Sequence, residues 1–339
     1  MLGYFTVWSG IFKQGKVIFS LPFLPSKTKL IDSPVSLQTA FGVTASMYRL
    51  IFPFLAMLVG CVPSTNSPAH REASPQRIIS TLPSITEVLF DMGLGDRIVG
   101  DSSFTKYPPE TANIAKIGGL YDINREKIVS LKPDVVILSA ENVTLRQSIS
   151  APVLIVDHRT LRGVLDSYLI IGERFGPDIL VTAQKKQQEL VDKLNEFEIR
   201  TKGRKPIRTL IAINRSSGTG RIQNLFVAGA DSFLSEAVKK AGGENVAASL
   251  GLLAPTLSAE GVIHLAPDVI IDIQISGRDL AQSVSDWQSL GTSVPAVKNQ
   301  RILILTDDFT SIPGPRTPLL IEKIAQYFES LGDLRHSQE

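Results

Sequence analysis

Apolar residues in this chain fall into short runs, each closed by Gly, Pro or a charged residue and separated from the next by a stretch of helical spacing. The runs at 77–81 (RIIST), 97–100 (RIVG), 135–139 (VVILS), 152–156 (PVLIV), 208–213 (RTLIAI), 225–228 (LFVA), 268–274 (DVIIDIQ) and 301–306 (RILILT) predict strands. Several lack polar alternation, the mark of strands covered on both faces of a parallel sheet. Between residues 161 and 206 the strand pattern stops. Residues 162–175 predict a helix that ends at Gly176-Pro177, and residues 178–200 continue without Gly or Pro. Leu190, Leu194 and Phe197 fall on one face of this second helix, at i, i+4 and i+7. At 1.5 Å per residue it spans on the order of 35 Å, enough to cross from one lobe to another. A closing helix is predicted at 319–331.

One pattern occurs twice. Residues 123–138 (INREKIVSLKPDVVIL) return at 257–272 (LSAEGVIHLAPDVIID), sharing Glu126/Glu260, Leu131/Leu265, Pro133/Pro267, Asp134/Asp268, Val135/Val269 and Ile137/Ile271. Each copy has an N-cap residue, Asn124 or Ser258, two places before its glutamate. A first-turn carboxylate is favoured there by unpaired N–H groups and the helix dipole. A proline then ends the helix and a core strand follows. A weaker echo relates residues 86–100 to 235–249, in the same order within each half. The chain therefore predicts two α/β lobes of like topology, with no solenoid period.

Composition matters mainly through its distribution. The chain has 339 residues, 43% hydrophobic and 20% charged, enough for two cores. Its net charge of +2 leaves no nucleic-acid footprint. From residue 61 onward, 30 basic face 32 acidic side chains, a net of −2, so the basic excess belongs to the first 60 residues. Arg49, the apolar run 50–60 (LIFPFLAMLVG) and Cys61 form a charge–apolar–cysteine series, followed by a Pro/Ser-rich tether. Leu58-Val-Gly-Cys61 resembles a bacterial lipobox, in which the cysteine is lipidated. The expected organisation is an over-extended start or leader at 1–46, a lipoprotein signal peptide at 47–60 and a tether at 61–76. An N-terminal lobe at 77–160, a helical segment at 161–206, a C-terminal lobe at 207–332 and a tail at 333–339 complete it.

Candidate chemistry is sparse. The loop 214–221 (NRSSGTGR) lacks the Gly-Lys-Ser/Thr ending of a phosphate loop and reads as a mobile, ligand-contacting loop. His70, His158, His264 and His336 are scattered without metal-ligand spacing, so no metal site is expected, and His158 reads as a loop histidine beside the Thr160 cap. No nucleophile motif and no resident cofactor are indicated. Taken alone, Glu126 and Glu260 read as helix-cap electrostatics.

The ordered set RIISTLPSITE, YPPE, IGGLYDINREKIVSLKPDVVIL, GGENV, LSAEGVIHLAPDVIID and GPRTP, over residues 77–331, resembles the substrate-binding lipoproteins of ABC importers for siderophore-bound iron, cobalamin and haem. The resemblance implies two similar three-layer α/β lobes with parallel sheets, bridged by one long helix, with the ligand in the cleft between. It implies a non-enzymatic monomer, lipid-anchored at Cys61 on the outer side of a membrane, working with a permease dimer and its ATPase. Glu126 and Glu260 then take the positions of the family's permease-docking acids. Cleft candidates are the strand-end residues Phe104, Tyr107, Tyr121, Arg215, Arg221, Phe226, Arg278 and Phe309, and the arginines favour an anionic ferric chelate over cobalamin or haem. The competing readings are a chelatase or nitrogenase-like component on a similar fold, and a sensor ectodomain.

Overall fold

The first sheet is wholly parallel and runs in the order β3-β2-β1-β4-β5. Its strands are β1 (Ile78–Ser80), β2 (Ile98–Asp101), β3 (Ala115–Lys116), β4 (Val135–Ser139) and β5 (Val153–Val156). The structure is a computed structural model that describes residues 74–216, 218–274 and 280–336. The leader, signal-peptide and lipidation expectations, including Cys61, and the cleft candidate Arg278 lie outside the described residues. All described residues belong to one compact unit, Arg71–Glu339.

Helix α1 (Pro83–Asp91) links β1 to β2, and α2 (Arg125–Ser130) precedes β4. Two long helices, α3 (Leu161–Phe175) and α4 (Pro177–Thr201), then lead to the second sheet. Gly176, at φ 102°, ends α3, and Pro177 opens α4, so the chain reverses within one residue. The helices pack so closely that a Cβ on Gly172 would lie 2.8 Å from the Ala183 methyl group. Near its start α4 meets the first lobe, where Lys186 lies 3.3 Å from Asp91 at the end of α1. Near its end it meets the second, where Arg200 pairs with Glu322 at 2.7 Å and Glu198 is bonded to Lys240. The bridging role expected of this helix therefore rests on contacts at both ends.

The second sheet has the order β11-β10-β6-β7-β9, with β8 also paired to β6. Its strands are β6 (Ile207–Ser216), β7 (Gln223–Val227), β8 (Gly243–Asn245), β9 (Thr256–Leu257), β10 (Val269–Ile273) and β11 (Ile302–Leu305). Helices α5 (Phe233–Lys240), α6 (Ala259–Leu265), α7 (Leu280–Gln288), α8 (Pro295–Lys298) and α9 (Thr317–His336) complete the lobe. Unlike the first sheet, this one is mixed: β7 is antiparallel to both β6 and β9. The connection from β6 to β7 is too short for a crossover, so the two strands form a hairpin. What reads in the sequence as a long polar loop is strand at both ends, with Asn214 opposite Phe226 and Ser216 opposite Gln223.

The repeated unit keeps its local conformation in both lobes. The Asn124 side chain accepts from Lys127 N–H at 2.8 Å, and that of Ser258 from Gly261 N–H at 3.2 Å. Lys132 and Ala266, matched in the repeat, both adopt positive φ (46° and 43°). The arginine opening each lobe, Arg77 or Arg208, donates through its guanidinium to the carbonyl of Leu131 or Leu265 at the end of the repeated helix, at 2.6 and 2.7 Å. Its own carbonyl accepts from the amide of Asp134 or Asp268, each at 2.8 Å. A shared set of caps, turn conformations and clamps this specific is what duplication of one ancestral unit produces.

Side-chain alternation along the strands separates three apolar clusters. Val135 and Ile137 of β4 and Val269, Ile271 and Ile273 of β10 enter one large cluster that also takes in α3, α4 and α9. Val136 and Leu138 join a smaller cluster behind the first sheet, and Ile270 joins another behind the second. The largest core is therefore common to both lobes and to the helices between them.

Candidate functional site

In the first sheet every strand from β1 to β5 except the edge strand β3 sends its exit residues to one cavity, as expected for the carboxyl ends of parallel strands. Leu82, Pro83 and Ser84 follow β1, Phe104 and Lys106 follow β2, Ser139 and Glu141 follow or end β4, and His158 and Arg159 follow β5. The opposite wall comes from the second lobe: Ile213 on β6, Phe233 and Leu234 at the start of α5, Leu253, and Asp308, Ser311, Ile312 and Pro313 after β11. The cavity measures about 500 Å³ and lies between the lobes. That is within the range of roughly 300–1,000 Å³ usual for small-molecule sites.

Most of the lining is apolar. Phe104 remains 65% exposed, so its ring is free for a guest to cover. Its edge rests on the turn at Gly119, where a Cβ would lie 2.5 Å from Phe104 Cε2. Of the lining charges, Arg159 is committed to Asp157, which it holds below the usual carboxylate range, and Asp308 to Arg316. Lys106 and Glu141 form no salt bridge among the described residues. His158 is buried, with Nδ1 2.9 Å from Ser84 Oγ, which ties the exit of β5 to the first turn of α1. Thr160 does cap α3, as expected, but His158 beside it belongs to the cavity wall.

The loop bearing Phe104 is anchored from below. Lys116 Nζ donates to Asp101 Oδ1 at 2.8 Å and to the carbonyls of Thr105 and Thr111 at 3.3 and 3.1 Å. Burial raises the Asp101 pKa from 3.8 to about 6 and lowers that of His158 from 6.5 to about 4. Between pH 4 and 6 the unfolded state holds the extra proton at His158, so stability is lost as pH falls. Over the same interval the folded state holds it at Asp101, so stability is lost as pH rises. Each group contributes a slope of about 1.4 kcal/mol per pH unit, and the two oppose one another. Asp101→Asn is therefore expected to unmask the histidine. Denaturation midpoints of the variant should fall faster than wild type between pH 6 and 4.5, and parallel curves would refute the assignment.

Among the described cleft candidates, only Phe104 lines the cavity. Arg215 is a correction: it is 2% exposed and bound to two acids, Asp272 at 2.9 Å and Asp286 at 2.8 Å. Asp286 also accepts from the amides of Gly218 and Gly220, which fastens the segment that reads in sequence as a mobile ligand loop. Arg221 is exposed and forks onto the Gln223 side-chain oxygen at 2.6 and 3.0 Å, with that amide in the orientation its donors require. Phe226 lies on the face of β7 opposite the buried Leu225 and Val227. Tyr121 is 96% exposed and outside the cavity wall. Tyr107 and Phe309 flank Arg316, their ring centres 4.0 and 5.7 Å from its guanidinium carbon. The residues that sequence reasoning missed include the aliphatic Leu82, which directly follows β1, and Ile312, which lies in the segment beyond β11. Strand-exit position, without regard to chemistry, would have found the first of them.

Glu126 and Glu260 are both exposed, in the first turns of α2 and α6. The Glu260 carboxyl is held below its usual range by its own backbone N–H and the Ser258 hydroxyl.

The sequence profile of the periplasmic binding protein family matches residues 78–309, which takes in both sheets. The chain belongs to that family. An uncharacterized ABC transporter substrate-binding lipoprotein of Bacillus subtilis, YvrC, is 27% identical over 282 residues, 79% of this chain and 83% of the relative. Among solved structures, the periplasmic vitamin B12 binding protein BtuF of Vibrio cholerae superposes with a TM-score of 0.63 at 25% identity, over 76% of this chain and 97% of BtuF. The periplasmic heme-binding protein RhuT of Roseiflexus sp. RS-1, in apo form, gives a TM-score of 0.62 at 25% identity, over 75% and 97%. The fold of this periplasmic binding protein is thus one shared with proteins named for binding vitamin B12 and heme.

Proposed function

We propose that this periplasmic binding protein is the substrate-binding component of an ABC importer and that it carries a metal chelate with a broad apolar face. The two-walled cavity with its mainly aliphatic and aromatic lining is the observation that carries the reading. Such a wall suits a flat or greasy ligand, because apolar contact is worth about 25 cal/mol per Å² removed from water. Of the arginines that favoured an anionic ferric chelate, Arg215 and Arg221 are outside the wall and lend it no support, and Arg278 lies outside the described residues. A tetrapyrrole-type chelate ranks ahead of it, in keeping with the ligands named for BtuF and RhuT.

In this reading Glu126 and Glu260 dock the two lobes on a permease dimer. Cys61 carries the lipid that holds the protein outside the cytoplasmic membrane, in agreement with the lipoprotein YvrC. Among the described residues no helix is long and apolar enough to cross a membrane.

Mass spectrometry of small molecules that copurify with the protein is the direct test, followed by melting curves with cyanocobalamin, haemin and a ferric hydroxamate. A ligand at 100 times its Kd adds about 2.7 kcal/mol of stability. One of the three is expected to raise Tm, and a panel that leaves it unmoved would reject the proposal. Phe104→Ala should weaken binding of that ligand by about 10-fold or more, since a buried aromatic contributes roughly 1.5–3 kcal/mol. Unchanged affinity would remove Phe104 from the site.

A further inference from the structure

Arg316 lies in the second lobe, just before α9, yet its guanidinium reaches into the first. Nη2 donates to Glu87 Oε1 at 2.6 Å and Nε to Glu87 Oε2 at 3.0 Å. Glu87 is on α1, one turn beyond the cavity-lining Ser84, and is only 3% exposed. Toward its own lobe, Arg316 Nη1 donates to both oxygens of Asp308, at 2.9 and 3.1 Å, and Nη2 to Asp308 Oδ2 at 3.1 Å. One planar fork therefore holds a wall residue of the second lobe and the helix that forms a wall of the first.

The fork is also sandwiched. The Tyr107 ring, from the first lobe, stacks on it with its centre 4.0 Å from the guanidinium carbon, and the Phe309 ring approaches from the second lobe at 5.7 Å. Gly314 brings the same segment against α1, with its Cβ position 3.5 Å from Glu87 Oε2. Of the ion pairs among the described residues that join the two sheets' own lobes without passing through α3 or α4, this is the one at the cavity. A bidentate arginine fixes orientation as well as distance, which a lysine does not.

We infer that Arg316 is a positioning residue: by clamping Glu87 to Asp308 it holds the two walls of the cleft at their working separation. The α3–α4 pair joins the lobes far along the chain from these loops, and the Arg316 fork ties them at the cavity itself. The walls are also joined where Phe233 N–H donates to the Arg159 carbonyl at 2.8 Å, so loss of the fork loosens the wall formed by α1 while that bond and the helices keep the lobes connected. The inference rests on contacts between the lobes and not on which ligand they hold, so it stands or falls apart from the proposed cargo.

The unit from residue 71, which contains all three apolar clusters, is suited to the test and lacks the native cysteine. Spin labels at Val143→Cys and Leu252→Cys, both exposed and on different lobes, report the separation by pulsed electron resonance. Arg316→Met and the near-isosteric Glu87→Gln should each broaden and lengthen the distance distribution. Lys323→Met, which removes a salt bridge to Asp307 within the second lobe, should leave it as in wild type. If Arg316→Met fails to fold, Glu87→Gln carries the test by itself, with circular dichroism to show that its helices are intact. A wild-type distribution in Glu87→Gln, or equal broadening in Lys323→Met, would overturn the inference.

Discussion

The double variant Glu126→Ala/Glu260→Ala is expected to abolish ABC-dependent uptake while leaving ligand affinity and Tm close to wild type. The two carboxylates occupy matched places in the repeated unit, both are exposed, and neither lines the cavity. The caps of their helices come from Asn124 and Ser258, which the variant retains. Each repeated helix begins on the side of its lobe where the strands end, the side on which the cavity opens. A pair of like acids presented by two like lobes matches a permease built from two like subunits. Such contacts act through orientation and charge complementarity more than through affinity. Uptake of labelled ligand by cells and equilibrium binding by purified protein measure the two halves of the expectation. Loss of binding would make the acids cleft residues, and full uptake would remove them from docking.

Arg215→Met is expected to cost about 3–5 kcal/mol of stability, the range for breaking a buried ion pair from one side. The native arginine is the counter-charge of both Asp272 and Asp286, all three are at most 2% exposed, and its Nη2 also donates to the Ser283 carbonyl at 3.2 Å. Methionine fills the space but leaves two carboxylates without a counter-ion. Trp287 Nε1, which donates to Asp272 at 2.7 Å, and the Gly218 and Gly220 amides on Asp286 do not replace a full positive charge. Domains are stable by only about 5–15 kcal/mol, so the change should be plain in urea denaturation. Weaker ligand binding with an unchanged denaturation midpoint would return Arg215 to the cleft.

The contrast between these two predictions shows where sequence reading succeeds. The repeated helix–strand unit is legible because its signals are local: a cap, a first-turn acid, a proline and an apolar run within sixteen residues. The fate of Arg215 depends on acids 57 and 71 positions away, and no local pattern marks them. The β6–β7 hairpin was hidden for a related reason. Its polar strand ends, Asn214 and Ser216, have the composition of a loop and become strand through pairing with Phe226 and Gln223. In the cleft, the aromatic and basic residues drew attention because their chemistry is conspicuous. The wall is instead mostly apolar, and Leu82 differs from any core residue only in its place at the end of a strand.

The largest apolar cluster has a mechanical meaning. Because Ile78, Leu194, Ile211 and Leu320 are parts of one interior, the largest oil drop belongs to neither half alone. Stiffness imposed on one half is felt by the other without any dedicated relay. Under the proposed function, a guest seated against the β1 exit would stiffen the far half through this shared interior, so that a loaded carrier would differ from an empty one in rigidity.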